Sequence, residues 1–200
     1  MTPVVAVLRE IKERHPKVEL RFWTDKSFYS QAKSKIADFD ETIPVHTIAA
    51  GKFRRFNHVS YFRQMFWPSL VIKNFRDSFL VLGGLLQSIV KLVAWRPDVV
   101  FAKGGYVCLP VGMAAKLLRI PLVIHDSDAH PGLTNRVLSR WATYIATGAP
   151  LEFYPYPKDR SKYVGIPIAS EFRPYNTVEQ REAKREWGID SKQPYLVVTG

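Results

Sequence analysis

The chain has few of the features that mark secreted, membrane-spanning or metal-binding proteins. Cys108 is the one cysteine among 200 residues, so no disulfide can form within the chain, and this usage is typical of a reducing compartment. The most apolar segment, residues 79–95, is shorter than a span of roughly 20 residues. It also contains Gln87 and Lys91, which favours a buried or surface-lying helix. No signal peptide is visible, and no spacing of His, Cys and carboxylates suits a metal ion.

What the chain does have is apolar content and positive charge. Hydrophobic residues make up 46% of the sequence and aromatic residues 13%, enough to bury a sizeable core and to exclude a disordered protein. The formal net charge is +11. An excess of this size predicts an anionic partner, such as nucleic acid, anionic lipid or a phosphorylated ligand.

Residues 97–135 carry the strongest pattern. A short apolar run after Pro97 predicts a buried parallel strand, and Gly104-Gly105 then breaks it. A helical pattern over residues 111–118 leads to a second apolar strand, Leu122 to Ile124, followed by a polar cluster and a Pro-Gly turn. Two strand–loop–helix units in a row predict an α/β fold with a parallel sheet. Ligands of such sheets bind beyond the carboxyl ends of the strands, where both loops fall.

A second segment, residues 52–76, lacks acidic side chains and interleaves basic with aromatic ones. It fits a core helix with a solvated basic face, a membrane-surface patch, or a nucleic-acid site. The aromatics cluster with aliphatic residues as a wedge, and no nucleic-acid motif is present. We therefore rank membrane above nucleic acid, and no nucleic-acid partner is predicted. The predicted membrane-docking residues are Arg54, Arg55, Phe62, Arg63, Phe66, Trp67 and Lys73.

Three motifs together resemble one enzyme family. They are Lys103-Gly-Gly-Tyr-Val107 after PDVV, then His125-Asp-Ser-Asp128, then Pro131-Gly-Leu-Thr-Asn135. Their order and spacing are similar to the GGYV, H-E-Q-N and G-L-T-N segments of family 28 glycosyltransferases, the MurG-type N-acetylglucosaminyltransferases of peptidoglycan synthesis. The resemblance covers nearly the whole chain.

The resemblance implies a GT-B architecture of two Rossmann-like domains, of which this chain is the N-terminal, acceptor-binding half. Residues 1–168 would form the acceptor- and membrane-binding domain, and residues 169–200 a linker, a helix and the first strand of a truncated donor domain. The family's first strand and its G-G-x-G-G-H loop would be lacking. A possible missing donor domain is therefore among the expected partners, and the chain alone is expected to be inactive.

The family's activity implies the chemistry. N-acetylglucosamine would pass from a UDP-sugar donor to an undecaprenyl-pyrophosphate-linked acceptor, with inversion and without a cofactor, at the cytoplasmic face of the cell membrane, where the protein would be peripheral. Backbone amides at Gly104, Gly105 and Tyr106 can seat a phosphate near a helix N-terminus. These three, with Asn135, are the predicted acceptor-binding residues, although Thr134 or Asn135 could instead cap a helix.

Three polar residues carry the remaining predictions. His125 and Asp126 are the predicted catalytic residues, because they could bind sugar hydroxyls or move a proton. Asp128 is predicted to bind the donor. For the two aspartates, satisfying loop backbone is an equally good interpretation.

The sequence departs from the family at Asp128, which replaces an Asn, and at Ile166 and Ala169, where G-N-P-V-R becomes Gly-Ile-Pro-Ile-Ala. A transferase acting on another glycolipid, and a non-catalytic lipid-binding module, therefore stay open as alternatives.

Overall fold

A computed structural model describes residues 2–53, 67–128, 130–168, 173–190 and 196. The chain divides into two compact units, Met1–Pro167 and Ile168–Gly200, which are described separately. The functions predicted for the two parts stay predictions. Residues 54–66, most of the predicted basic and aromatic segment, lie outside the described residues, as does most of the predicted strand at residues 195–198.

The first unit alternates helices with short parallel strands. Its helices are α1 (Thr2–Arg14), α2 (Tyr29–Ala37), α3 (Pro68–Trp95), α4 (Cys108–Leu117) and α5 (Leu133–Leu138). Its strands are β1 (Phe22–Thr24), β2 (Val45–Thr47), β3 (Val100–Ala102), β4 (Leu122–Asp126), β5 (Tyr144–Thr147) and β6 (Ser161–Tyr163). The predicted α/β class with parallel strands is confirmed, and β4 runs two residues beyond the predicted Leu122 to Ile124.

The strands form two sheets. Strands β1 and β2 make a parallel pair, and the other four make a parallel sheet in the order β3-β4-β5-β6. Among the described residues, β1 and β3 each have one strand partner. The loops that follow these two strands nevertheless approach each other, with the Ser27 and Tyr106 hydroxyls 3.4 Å apart.

The core lies around the four-stranded sheet. The buried apolar residues of β3, β4 and β5 are Val100, Ala102, Leu122, Ile124 and Ile145, whereas Phe101 and Val123 are partly buried. Helix α4 packs close through small residues: a Cβ added at Gly112 would come within 2.5 Å of the Leu138 side chain. The most buried members of this core are Ile48, Leu92, Ala114, Ala115, Leu122, Ile124, Leu138, Ala142 and Ile145.

Helix α3 is longer than the sequence indicated. It begins at Pro68, a residue suited to the first helical turn, and runs 28 residues, about 42 Å at 1.5 Å per residue. Its 18-residue apolar window has mean hydropathy 1.7 and is 22% buried, so by length and composition the helix could cross a bilayer. One face nevertheless packs on the protein. Gln87, which argued against a span, donates to the Thr47 carbonyl at 3.0 Å and accepts from the Ala49 amide at 2.9 Å.

The two faces of α3 differ in the size of their side chains. The inner face is fully or nearly buried and includes small and polar residues, Asp77, Gly84 and Ser88 among them. The outer face carries large apolar side chains at intervals of three and four residues, each roughly half exposed or more. We call these residues the outer stripe: Ile72, Phe75, Phe79, Leu82, Leu86, Val90 and Val93.

In the second unit, helix α6 (Thr177–Glu186) is capped by Asn176. The Asn176 side chain accepts from the amides of Val178 and Glu179, and the Glu179 carboxylate accepts from the Asn176 amide in return. This reciprocal capping box satisfies the backbone donors of Asn176, Val178 and Glu179 at the start of the helix.

Candidate functional site

A cavity of about 570 Å³ opens where β3 and β4 end. The predicted phosphate loop and most of the predicted polar residues meet there, because the carboxyl ends of neighbouring parallel strands share one edge of the sheet. Its polar lining includes Lys103, Tyr106, Asp126, Ser127, Asp128 and Asn135. The structure therefore brings most of the predicted site residues together around one cavity, and their roles stay predictions.

The glycine loop, residues 103–107, forms one wall of this cavity. Gly104 and Gly105 have φ angles of 96° and 88°, a left-handed region that residues with a Cβ rarely adopt. At Gly104 a Cβ would also lie 3.1 Å from the Asn135 side chain. Among the described residues, no hydrogen bond uses the backbone N–H groups of Gly105, Tyr106 or Val107. They are thus available to an anion at the start of α4.

Cys108 follows this loop, and its thiol is not placed to act as a nucleophile. Its Sγ donates to the Gly104 carbonyl at 2.8 Å, and the side chain packs against the hydrophobic core. Burial raises the pKa of the Cys108 thiol to about 11, which keeps it protonated and unreactive.

His125 belongs to strand β4, whereas the sequence indicated that it follows the strand. It is 2% exposed. The ring Nε2 is 2.9 Å from the Gly165 carbonyl, to which it donates. Nδ1 then accepts from the Ser127 hydroxyl at 3.3 Å. Burial lowers the pKa of His125, consistent with a neutral ring that joins the loop after β4 to the chain near Gly165.

Asp126 ends β4 and is equally enclosed, at 1% exposed. Tyr156 donates its hydroxyl to Asp126 Oδ2 at 2.6 Å, and the Asp128 amide donates to Oδ1 at 3.2 Å. The Tyr154 ring stacks on Tyr156, with centroids 5.5 Å apart. Both carboxylate oxygens therefore have partners in the protein. For His125 and Asp126 these contacts favour positioning of the loop over direct contact with a reacting group, and the catalytic prediction stays untested.

Sequence reasoning gave no role to Lys103, although this residue precedes the two glycines. The Lys103 ammonium hydrogen bonds to the Ser127 hydroxyl and lines the cavity. Burial lowers the pKa of Lys103, while the Asp128 and Asp126 carboxylates act to raise it. A lysine at the end of an apolar strand, directly before a glycine loop, was the signal that could have identified it.

Asn135 lines the cavity and does not cap the helix. Gly132 is the N-cap residue of α5, without a side-chain cap, so the capping alternative for Thr134 and Asn135 is wrong. Asn135 is 4% exposed, and its Oδ1 has no hydrogen-bond partner among the described residues. Because unpartnered buried polar atoms are rare, this oxygen is suited to a donor on a ligand.

The predicted membrane-docking residues are only partly described. Arg54, Arg55, Phe62, Arg63 and Phe66 lie outside the described residues. Trp67 directly precedes α3 and is 49% exposed, and Lys73 is exposed on the first turns of that helix. The structure adds the outer stripe, which is an exposed apolar surface along α3.

Helix α3 also reaches the cavity. Val81, on its inner face, lines the cavity beside Gly51, Lys52 and Phe53. The cavity and the outer stripe therefore lie on opposite faces of one helix. In the part of the chain that the structure describes, no group of three His, Cys, Asp or Glu side chains is placed to hold a metal ion.

Known proteins agree with this architecture. Residues 1–147 match the glycosyltransferase family 28 N-terminal domain. A protein of Bacillus thuringiensis (strain Al Hakam), named UDP-N-acetylglucosamine–N-acetylmuramyl-(pentapeptide) pyrophosphoryl-undecaprenol N-acetylglucosamine transferase 3, is 32% identical over all of this chain and 51% of its own length. A transferase of the same type from Lachnoclostridium phytofermentans is 35% identical over 79% of this chain and 40% of its own length.

One solved structure has the same fold. The crystal structure of Acinetobacter baumannii MurG matches 90% of this chain and 44% of its own with a TM-score of 0.62, at 22% identity. The chain spans about half the length of the curated relatives it matches. Because the family's N-terminal domain matches residues 1–147, most of this chain, and the predicted fold is confirmed, the chain belongs to glycosyltransferase family 28.

Proposed function

We propose that this chain is the acceptor-binding half of a transferase that moves N-acetylglucosamine from a UDP-sugar to a lipid-pyrophosphate-linked muramyl peptide. The observation that carries the proposal is the cavity at the ends of β3 and β4, with its glycine loop on one side and α3 on the other. The relatives' printed names supply the donor and acceptor.

The acceptor's pyrophosphate is proposed to lie on the free amides of Gly105 and Tyr106, where no side chain at Gly104 or Gly105 blocks its approach. The unpartnered Oδ1 of Asn135 would accept a hydrogen bond from a sugar hydroxyl. Asp128, exposed at the cavity rim, would face the donor sugar. His125 and Asp126 act in this proposal by holding the loop that carries Asp128.

The proposed reaction is a single displacement. The acceptor hydroxyl oxygen bonds to the anomeric carbon of the donor sugar, the bond from that carbon to UDP breaks, and the configuration inverts. The hydroxyl proton passes to a base, and UDP leaves with the bonding electron pair. This half of the fold supplies the acceptor seat, and the UDP-binding groups belong to a donor domain.

The outer stripe is proposed to dock the protein on the cytoplasmic face of the membrane as a peripheral protein. The exposed large apolar side chains lie beside Lys73 and Arg76, and the chain carries a net charge of +11. Apolar residues flanked by cations suit a bilayer with anionic head groups. Docking through α3 would bring the cavity, on the other face of the same helix, to the lipid-linked pyrophosphate.

Transfer activity tests the reaction. The chain, extended at both ends by its own genomic sequence, would be assayed with UDP-N-acetylglucosamine and a lipid-pyrophosphate-muramyl acceptor. We expect transfer, and a loss of at least tenfold in Asp128→Ala without a change in the circular dichroism spectrum. A folded, complete protein that does not transfer to this acceptor would contradict the proposal, and transfer to another glycolipid would replace the acceptor class.

Sedimentation with vesicles tests the docking surface. We expect Phe79→Ser combined with Leu82→Ser to reduce the fraction bound to anionic liposomes at least threefold. Leu117→Ser is the matched control, since Leu117 is a similarly exposed apolar side chain, 63% accessible, on α4. Equal binding by all three proteins would reject the outer stripe as the docking surface, and binding that follows duplex DNA would favour a nucleic-acid site.

A further inference from the structure

Lys103 is a cationic side chain at the start of the glycine loop, and neither the sequence analysis nor the proposed function above gave it a role. It is the last residue before Gly104, and it lines the same cavity as the free amides of Gly105 and Tyr106. Lysine is a compact point charge that binds phosphate oxygens well. Its position therefore places a positive charge beside the backbone amides that are free to bind an anion.

A series of hydrogen bonds fixes the position of the Lys103 side chain. Its ammonium donates to the Ser127 hydroxyl, Ser127 donates to His125 Nδ1, and His125 donates from Nε2 to the Gly165 carbonyl. Each donor in this series has one acceptor, and the neutral ring of His125 fits its two roles. The series uses one of the three ammonium protons, so two remain for a ligand in the cavity.

The acidic groups around Lys103 bear on its charge. Asp126 and Asp128 favour the protonated ammonium, which opposes the effect of burial on its pKa. The carboxylate of Asp126 is occupied by Tyr156 and by the Asp128 amide. Asp126 and Asp128 line the cavity together with Lys103, but both Asp126 oxygens already have donors in the protein, whereas the ammonium still has protons for a ligand.

A second observation points to a ligand here. Asn135, 4% exposed, presents an unpartnered Oδ1 beside Gly104. Lys103 and the loop amides offer only donors, while Asn135 Oδ1 accepts. A phosphate ester of a sugar satisfies both kinds of group, since its phosphate oxygens accept and its hydroxyls donate. Neither a purely apolar ligand nor a bare cation would.

We propose that Lys103 positions pyrophosphate by binding the phosphate oxygens beside the amides of Gly105 and Tyr106. Ser127 accepts a hydrogen bond from the Lys103 ammonium and so fixes its orientation. The pyrophosphate is that of the lipid-linked acceptor, so this assignment rests on the proposed function. The charge of residue 103 then sets the affinity for pyrophosphate. The hydrogen bonds through Ser127 and His125 set the orientation of the Lys103 ammonium.

Binding to the 200-residue chain tests this directly, with inorganic pyrophosphate as the probe and calorimetry as the readout. We expect Lys103→Met to raise the dissociation constant at least tenfold, about 1.4 kcal/mol, and Lys103→Arg to stay within about threefold of the wild type. Lys33→Met, an exposed lysine on α2, controls for the loss of one positive charge and should bind as the wild type does. Equal weakening by Lys33→Met and Lys103→Met would overturn the proposal in favour of general electrostatic attraction.

Two further measurements keep the proposal open to rejection if Lys103→Met does not fold. In the wild-type chain, pyrophosphate should shift the amide resonances of Gly105 and Tyr106, and unchanged resonances there would reject the site. Competition separates the two sources of pyrophosphate: a short prenyl pyrophosphate should displace the probe, whereas displacement by UDP alone would move the subsite to the donor and overturn its assignment to the acceptor.

These outcomes are separable from those of the proposed function. Pyrophosphate binding that depends on Lys103, in a completed protein that transfers no sugar, would leave the subsite standing and remove the reaction. If the completed protein transfers sugar and Lys103→Met leaves its KM for the acceptor unchanged, the reaction would stand and the Lys103 subsite would be rejected.

Discussion

The carboxyl end of the four-stranded sheet buries polar side chains, whereas the outer stripe of α3 exposes apolar ones. At the end of β4, His125 and Asp126 are almost completely buried, and each has hydrogen-bond partners. On α3, side chains as large as Phe75 and Phe79 are 65% and 60% exposed. Buried polar groups need partners inside the protein, whereas a contiguous exposed apolar surface indicates a partner outside it.

The same contrast exists within α3. Its inner face combines apolar residues such as Leu92 with small or polar residues that let the helix approach the loop after β2, as Gly84 and Gln87 do. Its outer face also carries large apolar residues, and these are exposed. Because both faces carry large apolar side chains, hydrophobicity alone does not tell which face is inside; the close contacts of the small residues do.

The largest effect is expected from the two adjacent glycines of α3. A Cβ at Gly84 would lie 1.8 Å from the Ala49 carbonyl oxygen, while a Cβ at Gly83 would meet nothing within 4 Å. Gly84→Ala should lower the free energy of unfolding by about 3 kcal/mol or more through overpacking, and Gly83→Ala should raise it by up to about 1 kcal/mol through helix propensity. Urea denaturation of the two variants measures this, and equal effects would mean that the inner face is not packed.

The next effect concerns the buried carboxylate. Tyr156→Phe removes the hydroxyl that donates to Asp126 Oδ2, and should destabilise the fold by about 2 kcal/mol, since hydrogen bonds to charged groups are worth about 1.5–3 kcal/mol. Tyr144→Phe, at a tyrosine that is 64% exposed, should change stability by less than about 0.5 kcal/mol. If chemical denaturation finds the two variants alike, Asp126 has another source of stabilisation.

A smaller effect is expected from pH. Burial lowers the pKa of His125 and of His46 below their usual 6.5, with Lys91 and Arg21 adding to the effect at His46. Both therefore bind protons more weakly when folded, so the stabilisation is complete above pH 6.5 and is lost as pH falls below that value. The urea midpoint should be lower at pH 5.5 than at pH 7.5.

Replacing each histidine assigns this pH effect. His125→Gln should reduce the difference between the two midpoints, and His15→Gln, at an exposed position, should leave it unchanged. A midpoint difference that is insensitive to His125→Gln would mean that its ring does not titrate with folding.

The smallest effect on stability is expected on the outer stripe. Val90 is 69% exposed, so Val90→Ser should change the free energy of unfolding by less than about 0.5 kcal/mol. Val81→Ser, on the buried inner face, is the matched control and should cost clearly more. A large loss of stability in Val90→Ser would mean that the outer stripe contacts the protein itself.

Much of the fold could be predicted from the sequence because its signals are local. The strands near residues 100, 122 and 145 are short apolar runs bounded by turn residues, and Gly104-Gly105 needs a left-handed backbone that few other residues adopt. The beginning of α3 could not be predicted in this way. Its first turns belong to a basic and aromatic segment whose pattern fits a helix, a membrane patch or a nucleic-acid site.

The sequence by itself determined a parallel α/β domain and placed the glycine loop and the polar residues at one edge of its sheet, since both follow from short-range patterns and from strand direction. Only the tertiary structure decided what each polar side chain does. Gly165 accepts from His125, and Tyr156 donates to Asp126, across separations of 40 and 30 residues. Contacts at that distance along the chain leave no periodic signal, because they depend on how the strands and loops pack together.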